Sequence, residues 1–283
     1  MAESGSGNPG EIRQQLGPYE LTVATAFGPR VVGLKHDDSP EMFVTLEPEV
    51  SVSHPSGAKY RFRGGHRLWV SPEDPAVTYA PDDHICTVTS GTDSLTIAAP
   101  PDMAGFEKTI HLNWADTRLN VGHHLRWAGE EPIEASPWAI TQLPTGGVAI
   151  LPVVGVGKGQ GADRSIVAWP YTRLNDERIS WAENSALIHA MPGEPIKLGS
   201  GPDPGSVGYL RGGYLFTKRF AAPPGEYSDR GAIAQVYANE LFCELESLGP
   251  LVRFEPGEET RHFEVWEVSR CPDLESAVVA VTP

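Results

Sequence analysis

Apolar and polar positions alternate along this chain with the period of a strand. Over Arg118–Trp127, Leu119, Val121, His123, Leu125 and Trp127 share one face, while Asn120, Gly122, His124 and Arg126 share the other. Short runs of the same kind predict strands at Tyr19–Phe27, Arg30–His36, Met42–Leu46, Tyr60–Pro72, Ile85–Ser90, Ser94–Ala99 and Phe106–Trp114. Others follow at Ile133–Gln142, Val148–Val154, Ala186–His189, Tyr214–Phe220 and Ile233–Tyr237. The intervening segments are rich in the 26 prolines and 30 glycines, and no amphipathic helical window exceeds a turn or two. The pattern predicts an all-β, antiparallel protein with under about a tenth of its residues in helix, against a usual third.

The C-terminal part carries the most chemical information. Strand Leu241–Leu248 runs into a Gly-Pro turn and a Pro-Gly-Glu turn, then a closing strand, Arg261–Val268. Period two places Leu241, Cys243, Leu245 and Ser247 on one face and Phe242, Glu244, Glu246 and Leu248 on the other. The two acids are therefore neighbours, roughly 7 Å apart along the strand. Flanked by Phe242 and Leu248, such a pair pushes at least one carboxyl group towards a raised pKa, which suits proton transfer near neutral pH. The alternative is a solvent-facing strand decorated with acids.

A length of 283 residues is compatible with one all-β domain, expected over 12–283 behind a disordered, Gly/Ser-rich tail over 1–11 that lacks the apolar stretch of a signal peptide or anchor. The formal net charge of -15 argues against nucleic acid and anionic membrane as partners, because both require clustered cations. Cys86, Cys243 and Cys271 are widely spaced and odd in number, so neither a disulfide framework nor a zinc site is signalled, and reduced thiols suggest the cytoplasm. Val154–Ser165 is Gly-rich but has no GKS/T and no helical continuation, which reads as a surface loop rather than a phosphate loop.

Arg63–Trp69, RGGHRLW, joins a backbone that allows close approach to a ligand with an imidazole (His66), a guanidinium (Arg67) and an indole (Trp69). Together they suit a sugar: Arg offers a fixed fork of donors, His either hydrogen-bonding role, and Trp a flat apolar face. The competing reading is a β-bulge with Trp69 in the core. No histidine spacing signals a metal, and no cofactor is expected. His123 falls on the apolar face of its strand and reads as a hydrogen-bonded core residue. His124, on the polar face, is the better candidate for chemistry.

These segments carry a family resemblance. GGHRLWVSP at Gly64–Pro72 is similar to the GGxPxxWPxFG stretch of hexose-phosphate mutarotase-like proteins, and LFCELESLGP at Leu241–Pro250 with Pro256-Gly257-Glu258 resembles the LExQ…PGE ending of aldose 1-epimerases. With Trp138-Ala139-Ile140-Thr141-Gln142, they most resemble a bacterial branch of the galactose mutarotase-like superfamily, the DUF4380-like proteins, over about Gly17 to Val281. The resemblance implies a single-domain antiparallel β-supersandwich and a small carbohydrate ligand. It also implies hemiacetal opening, in which a carboxylate takes the anomeric hydroxyl proton and a histidine protonates the ring oxygen. By position Glu246 matches the base, with Glu244 beside it. Arg67 matches substrate binding, and His84, Trp138 and Gln142 fall in segments that would line the site. Ser136-Pro137-Trp138-Ala139 stands where the epimerases have their acid histidine, which leaves His124, His66 or Lys218 for that role. The implied activities are a carbohydrate isomerase, a binding module that kept the cleft, or a lyase-type proton abstraction.

Overall fold

The computed structural model describes residues 10–155, 157, 160–201 and 203–283. The expected tail therefore lies mostly outside the described residues, and the Gly-rich loop partly so. Glu11, placed in the tail from sequence, instead begins the first strand. In chain order the strands are β1 Glu11–Leu16, β2 Tyr19–Ala24, β3 Arg30–His36, β4 Ser51–Ser53, β5 Lys59–Arg61, β6 Gly65–Ser71, β7 Thr87–Ser90, β8 Ser94–Ala98, β9 Phe106–Ala115, β10 Arg118–Trp127 and β11 Ile133–Pro144. They continue as β12 Val148–Pro152, β13 Ser165–Ala168, β14 Ile179–Ala182, β15 Ser185–His189, β16 Ile196–Gly201, β17 Ser206–Arg211, β18 Tyr214–Phe220, β19 Ala234–Ala238, β20 Phe242–Leu248, β21 Val252–Phe254 and β22 Glu259–Arg270. Strand accounts for 51% and helix for 4%, and the ladders are antiparallel, so the chain is an all-β sandwich.

Contacts divide the chain into two compact units: the described residues up to Ala139 with Val252–Phe263, and Ile140–Leu251 with Glu264–Pro283. The first unit has one strand row β1-β2-β3-β6-β11, with β21 also on β11, and another, β22-β10-β9-β8-β7. Leu68, Val70, Ala135 and Phe254 from the first row meet Phe106, Leu125 and Trp127 from the second to form its core. The second unit has rows β11-β20-β19-β16-β13 and β14-β15-β12-β17-β18-β22. The helix Leu274–Val281, whose N-terminus is capped by Asp273 accepting from the Ser276 amide, buries Ala277 and Val281 against Ile150, Leu187 and Leu215 of the latter row. No helix among the described residues is long and apolar enough to cross a membrane.

Two expectations change for a physical reason. Met42–Leu46 forms only a single bridge, Thr45 with Gly64. Tyr60–Pro72 is not one strand but two, because Arg63, Gly64 and Gly65 all have positive φ (58°, 83° and 71°). A Cβ on Gly64 would lie 1.8 Å from the Val44 carbonyl oxygen, and one on Gly65 2.2 Å from that of Val31, so the kink requires glycine. Arg30 holds it from beneath, donating to the Phe62 and Gly64 carbonyls at 2.8 Å each, to the Tyr60 hydroxyl at 2.7 Å and to Asp82 at 2.8 Å.

Candidate functional site

The second unit concentrates charge on one face of a strand row. Both faces of β20 are buried, which removes the solvent-facing reading of its acids: Glu244 is 7% exposed and Glu246 0%. Antiparallel register sets Tyr237 opposite Glu244, Gln235 opposite Glu246, and Lys197 of β16 opposite Tyr237, so these side chains share a face. The Lys197 ammonium crosses diagonally and donates to Glu246 Oε2 at 2.8 Å. The indole of Trp169 covers the ammonium at 4.6 Å. Thr172 fixes this arrangement: its hydroxyl accepts from the Lys197 amide at 2.8 Å and donates to the Lys197 carbonyl at 2.9 Å, which pins segment 169–172 to β16. Tyr171 meets Tyr237 at 6.5 Å between ring centroids, and Tyr237 meets Phe242 at 5.9 Å.

Two buried amides stand out in the same unit. Gln142 on β11 is fully buried, and neither end of its amide meets a hydrogen-bond partner among the described residues. Gln235 Nε2 donates to Asp229 at 2.8 Å and to the Ala232 carbonyl at 3.1 Å, while its Oε1 has no partner there. Buried polar atoms are nearly always satisfied by protein, water or ligand. Lys218, the sequence candidate for an acid, is fully buried and ion-paired to Glu264 at 2.8 Å, and it donates to the Leu245 carbonyl at 3.1 Å. Glu264 also accepts from Ser247 and from the Trp266 indole, so Lys218 sits in a buried hydrogen-bonded network.

The first unit holds a cluster of another kind. Arg67 and Trp69 share a face of β6, and the guanidinium lies 3.9 Å from the indole centroid. Tyr60, Tyr79 and Trp138 surround that indole at 5.2, 5.3 and 5.5 Å, and Trp69 Nε1 donates to the Tyr60 hydroxyl at 3.0 Å. Trp69 is 5% exposed and Trp138 3%, so the flat face expected to receive a pyranose is already covered. The cavity beside them is about 10 Å³, room for a single water.

His66, expected beside Arg67 in the site, points to the opposite face of β6 into the core. There its Nε2 meets His123 Nε2 at 2.7 Å. His123 Nδ1 lies 3.2 Å from the His262 carbonyl, which can only accept, so in a neutral pair His123 donates there and receives the His66 proton. His84 Nε2 donates to the Gly28 carbonyl at 2.9 Å and anchors the loop that carries Asp82. His124 is half-buried on β10, and burial, followed by the Arg261 cation, holds its pKa below the usual histidine value. It is neutral near pH 7 and poorly suited to donating a proton. All three cysteines are free and buried.

Sequence reasoning missed Lys197, Trp169 and Gln235. The available signal was a lone cation inside an otherwise apolar and glycine-containing run, Ile196-Lys197-Leu198-Gly199.

Neither a family model nor a curated protein sequence matches the chain. Solved structures share its fold. A galactose mutarotase-like protein from Lactobacillus casei superposes with a TM-score of 0.52 at 10% identity, covering 92% of this chain and 100% of its own. A proposed aldose 1-epimerase from Escherichia coli K12 gives 0.56 at 12% identity, covering 92% and 99%. A TPR-domain containing protein from Parabacteroides distasonis gives 0.61 at 12% identity, with this chain spanning 93% of itself but 48% of that protein. The fold is therefore that of the galactose mutarotase-like proteins.

Proposed function

We propose that this protein is a carbohydrate isomerase of the aldose-epimerase kind, in which Glu246 takes the proton of a sugar's anomeric hydroxyl. The observation that carries the reading is a fully buried carboxylate on β20 held 2.8 Å from an ammonium, on a face shared with Gln235 and Tyr237. Proton transfer needs an acid or base kept in a defined state away from bulk water. The unpartnered amide ends of Gln142 and Gln235 add donors and acceptors of the kind that hydroxyl-rich ligands satisfy. The mutarotase-like fold and the GGHRLW and ELESLGP motifs, which resemble those of the DUF4380-like branch, support a small sugar as ligand, and three free cysteines fit a cytoplasmic location. The reading takes 12–283 as one domain, since β11 and β22 each run unbroken from one compact unit into the other.

The test is anomer interconversion, followed by magnetisation-transfer NMR over a panel of aldoses, aldose phosphates and uronates, with wild type and Glu246→Gln compared. Acceleration by wild type that is lost in the variant supports the reading. Equal acceleration by both ends it.

A second reading, a carbohydrate-recognition module, is favoured by one observation. Phe62 and Tyr79 are only half-buried beside the Arg67–Trp69 stack, which leaves a partly exposed aromatic edge. Sugar-dependent thermal stabilisation with no turnover would select it.

A further inference from the structure

We infer that Lys197 is the acid of this site and that acid and base act from the same side of the sugar as one bifunctional pair. The inference rests on the reading of Glu246 as base. The two oxygens involved, the anomeric hydroxyl and the ring oxygen, are both bonded to the anomeric carbon and so lie side by side. A donor and an acceptor that are themselves neighbours can serve both at once. Lys197 Nζ and Glu246 Oε2, 2.8 Å apart, are such neighbours. The imidazole candidates are otherwise engaged: His66 and His123 bond each other in the core, and His124 is held neutral. Lys218 is enclosed by Glu264 and the Leu245 carbonyl.

The step balances within the pair. Lys197 gives a proton to the ring oxygen as the bond from that oxygen to the anomeric carbon breaks, its electrons staying on oxygen. The O–H electrons of the anomeric hydroxyl become the second bond of the aldehyde, and the proton passes to Glu246. Glu246 is then neutral and Lys197 is a free amine. Transfer across their shared hydrogen bond restores carboxylate and ammonium, so no outside proton carrier is needed. Rotation about the bond between the first two carbons followed by the reverse step yields the other anomer. The Thr172 clamp on the Lys197 backbone and the Trp169 indole over the ammonium keep the donor aimed.

Lys197→Arg is the discriminating variant. It keeps a positive charge beside Glu246, but a guanidinium does not give up its proton in a protein. If Lys197 is the acid, Lys197→Arg that melts within a few degrees of wild type loses roughly 10²–10⁴-fold in anomer exchange, the usual worth of a general acid. Retention of full rate by Lys197→Arg while Glu246→Gln is inactive overturns the inference alone and leaves the base standing. Full rate in Glu246→Gln overturns the base and the inference together.

Wild type supplies a test that does not depend on a variant's folding. An ammonium at the ring-oxygen position accepts no proton from Lys197 and repels it. By calorimetry, 1-deoxynojirimycin and its galacto isomer should therefore bind at least about tenfold more weakly than the matching 1,5-anhydroalditols, whose ring oxygen is an acceptor. Equal or tighter binding of the iminosugars overturns the inference. Binding of neither class, or binding with no anomer exchange of any sugar in the panel, overturns both the inference and the reading beneath it.

Discussion

The first unit and the second unit each bury a cation among aromatic rings, and they do it by different physics. Arg67 lies flat against Trp69, and the guanidinium, weakly hydrated and planar, loses little on leaving water when a ring face replaces it. Lys197 is a compact, strongly hydrated ammonium. Its burial is offset by a full negative charge on Glu246, with Trp169 as an additional cover. The stacked arginine holds a planar cation in a fixed geometry against an indole. The paired lysine is one half of a buried ion pair, the arrangement on which the proposed proton transfer rests.

The largest expected effect separates the two at the level of chemistry. Glu246→Gln should lower anomer exchange by roughly 10²–10⁴. Arg67→Lys, which substitutes a point charge for a fork against an indole that is already covered, should leave kcat within about a factor of three. Loss of kcat in the arginine variant would show that the two clusters are not functionally distinct. Next comes stability. Lys197→Met should cost roughly 3–5 kcal/mol in urea unfolding, since it leaves Glu246 as a buried charge without its ammonium, and the double variant Lys197→Met/Glu246→Met should recover most of that. Arg67→Met should cost only about 1–2 kcal/mol, and a cost equal to that of Lys197→Met would erase the contrast.

Tyr60→Phe sharpens the picture of the first unit. The Tyr60 hydroxyl accepts from both Arg30 and Trp69, so its removal takes an acceptor from Trp69 Nε1 and one of the two acceptors of Arg30 Nη2, which keeps Asp82, and should cost about 1–3 kcal/mol. A neutral result would mean that water replaces the hydroxyl and the cluster is looser than its geometry indicates. The smallest effect is in pH. His124 has a folded pKa below its unfolded value of about 6.5, so its contribution to stability is complete above that pH and falls away as pH drops through the folded value. Unfolding titrations between pH 7 and 5, as approximate limits, should show a shallower loss in His124→Asn than in wild type. Identical slopes would assign the acid sensitivity of the first unit elsewhere.

Much of the architecture was legible in the residues. Arg30–His36, Arg118–Trp127 and Tyr214–Phe220 are strands with the bounds predicted, and in Arg118–Trp127 the reason is plain, since a half-buried strand must place its apolar groups on one face. Strands such as Ile196–Gly201 and Ser206–Arg211 escaped because they are buried on both faces and carry no alternation to read. The kink at Arg63–Gly65 was foreshadowed by the glycine pair, but that it splits the run into two strands depends on the close approach of Val44 and Val31. That Glu244 and Glu246 share a face followed from parity; that the face is buried did not. Nor did the partner of Glu246, since Lys197 is 49 residues away in sequence.

By itself the sequence determined which residues alternate and where the chain must turn. It also determined that Glu244 and Glu246 share a face of one strand, because a period of two is a property of the backbone within a single element. It could not determine what either acid faces. That depends on the registers of β16 on β19 and β19 on β20, which together carry Lys197 to Glu246, and on the Thr172 clamp that brings Trp169 over the ammonium. Those registers are chosen by the burial of the whole strand row at once, since a slip of one residue would turn every side chain of a strand to its other face. The same collective choice sent His66 into the core and left Arg67 on the opposite face of β6, although the two are adjacent in the chain.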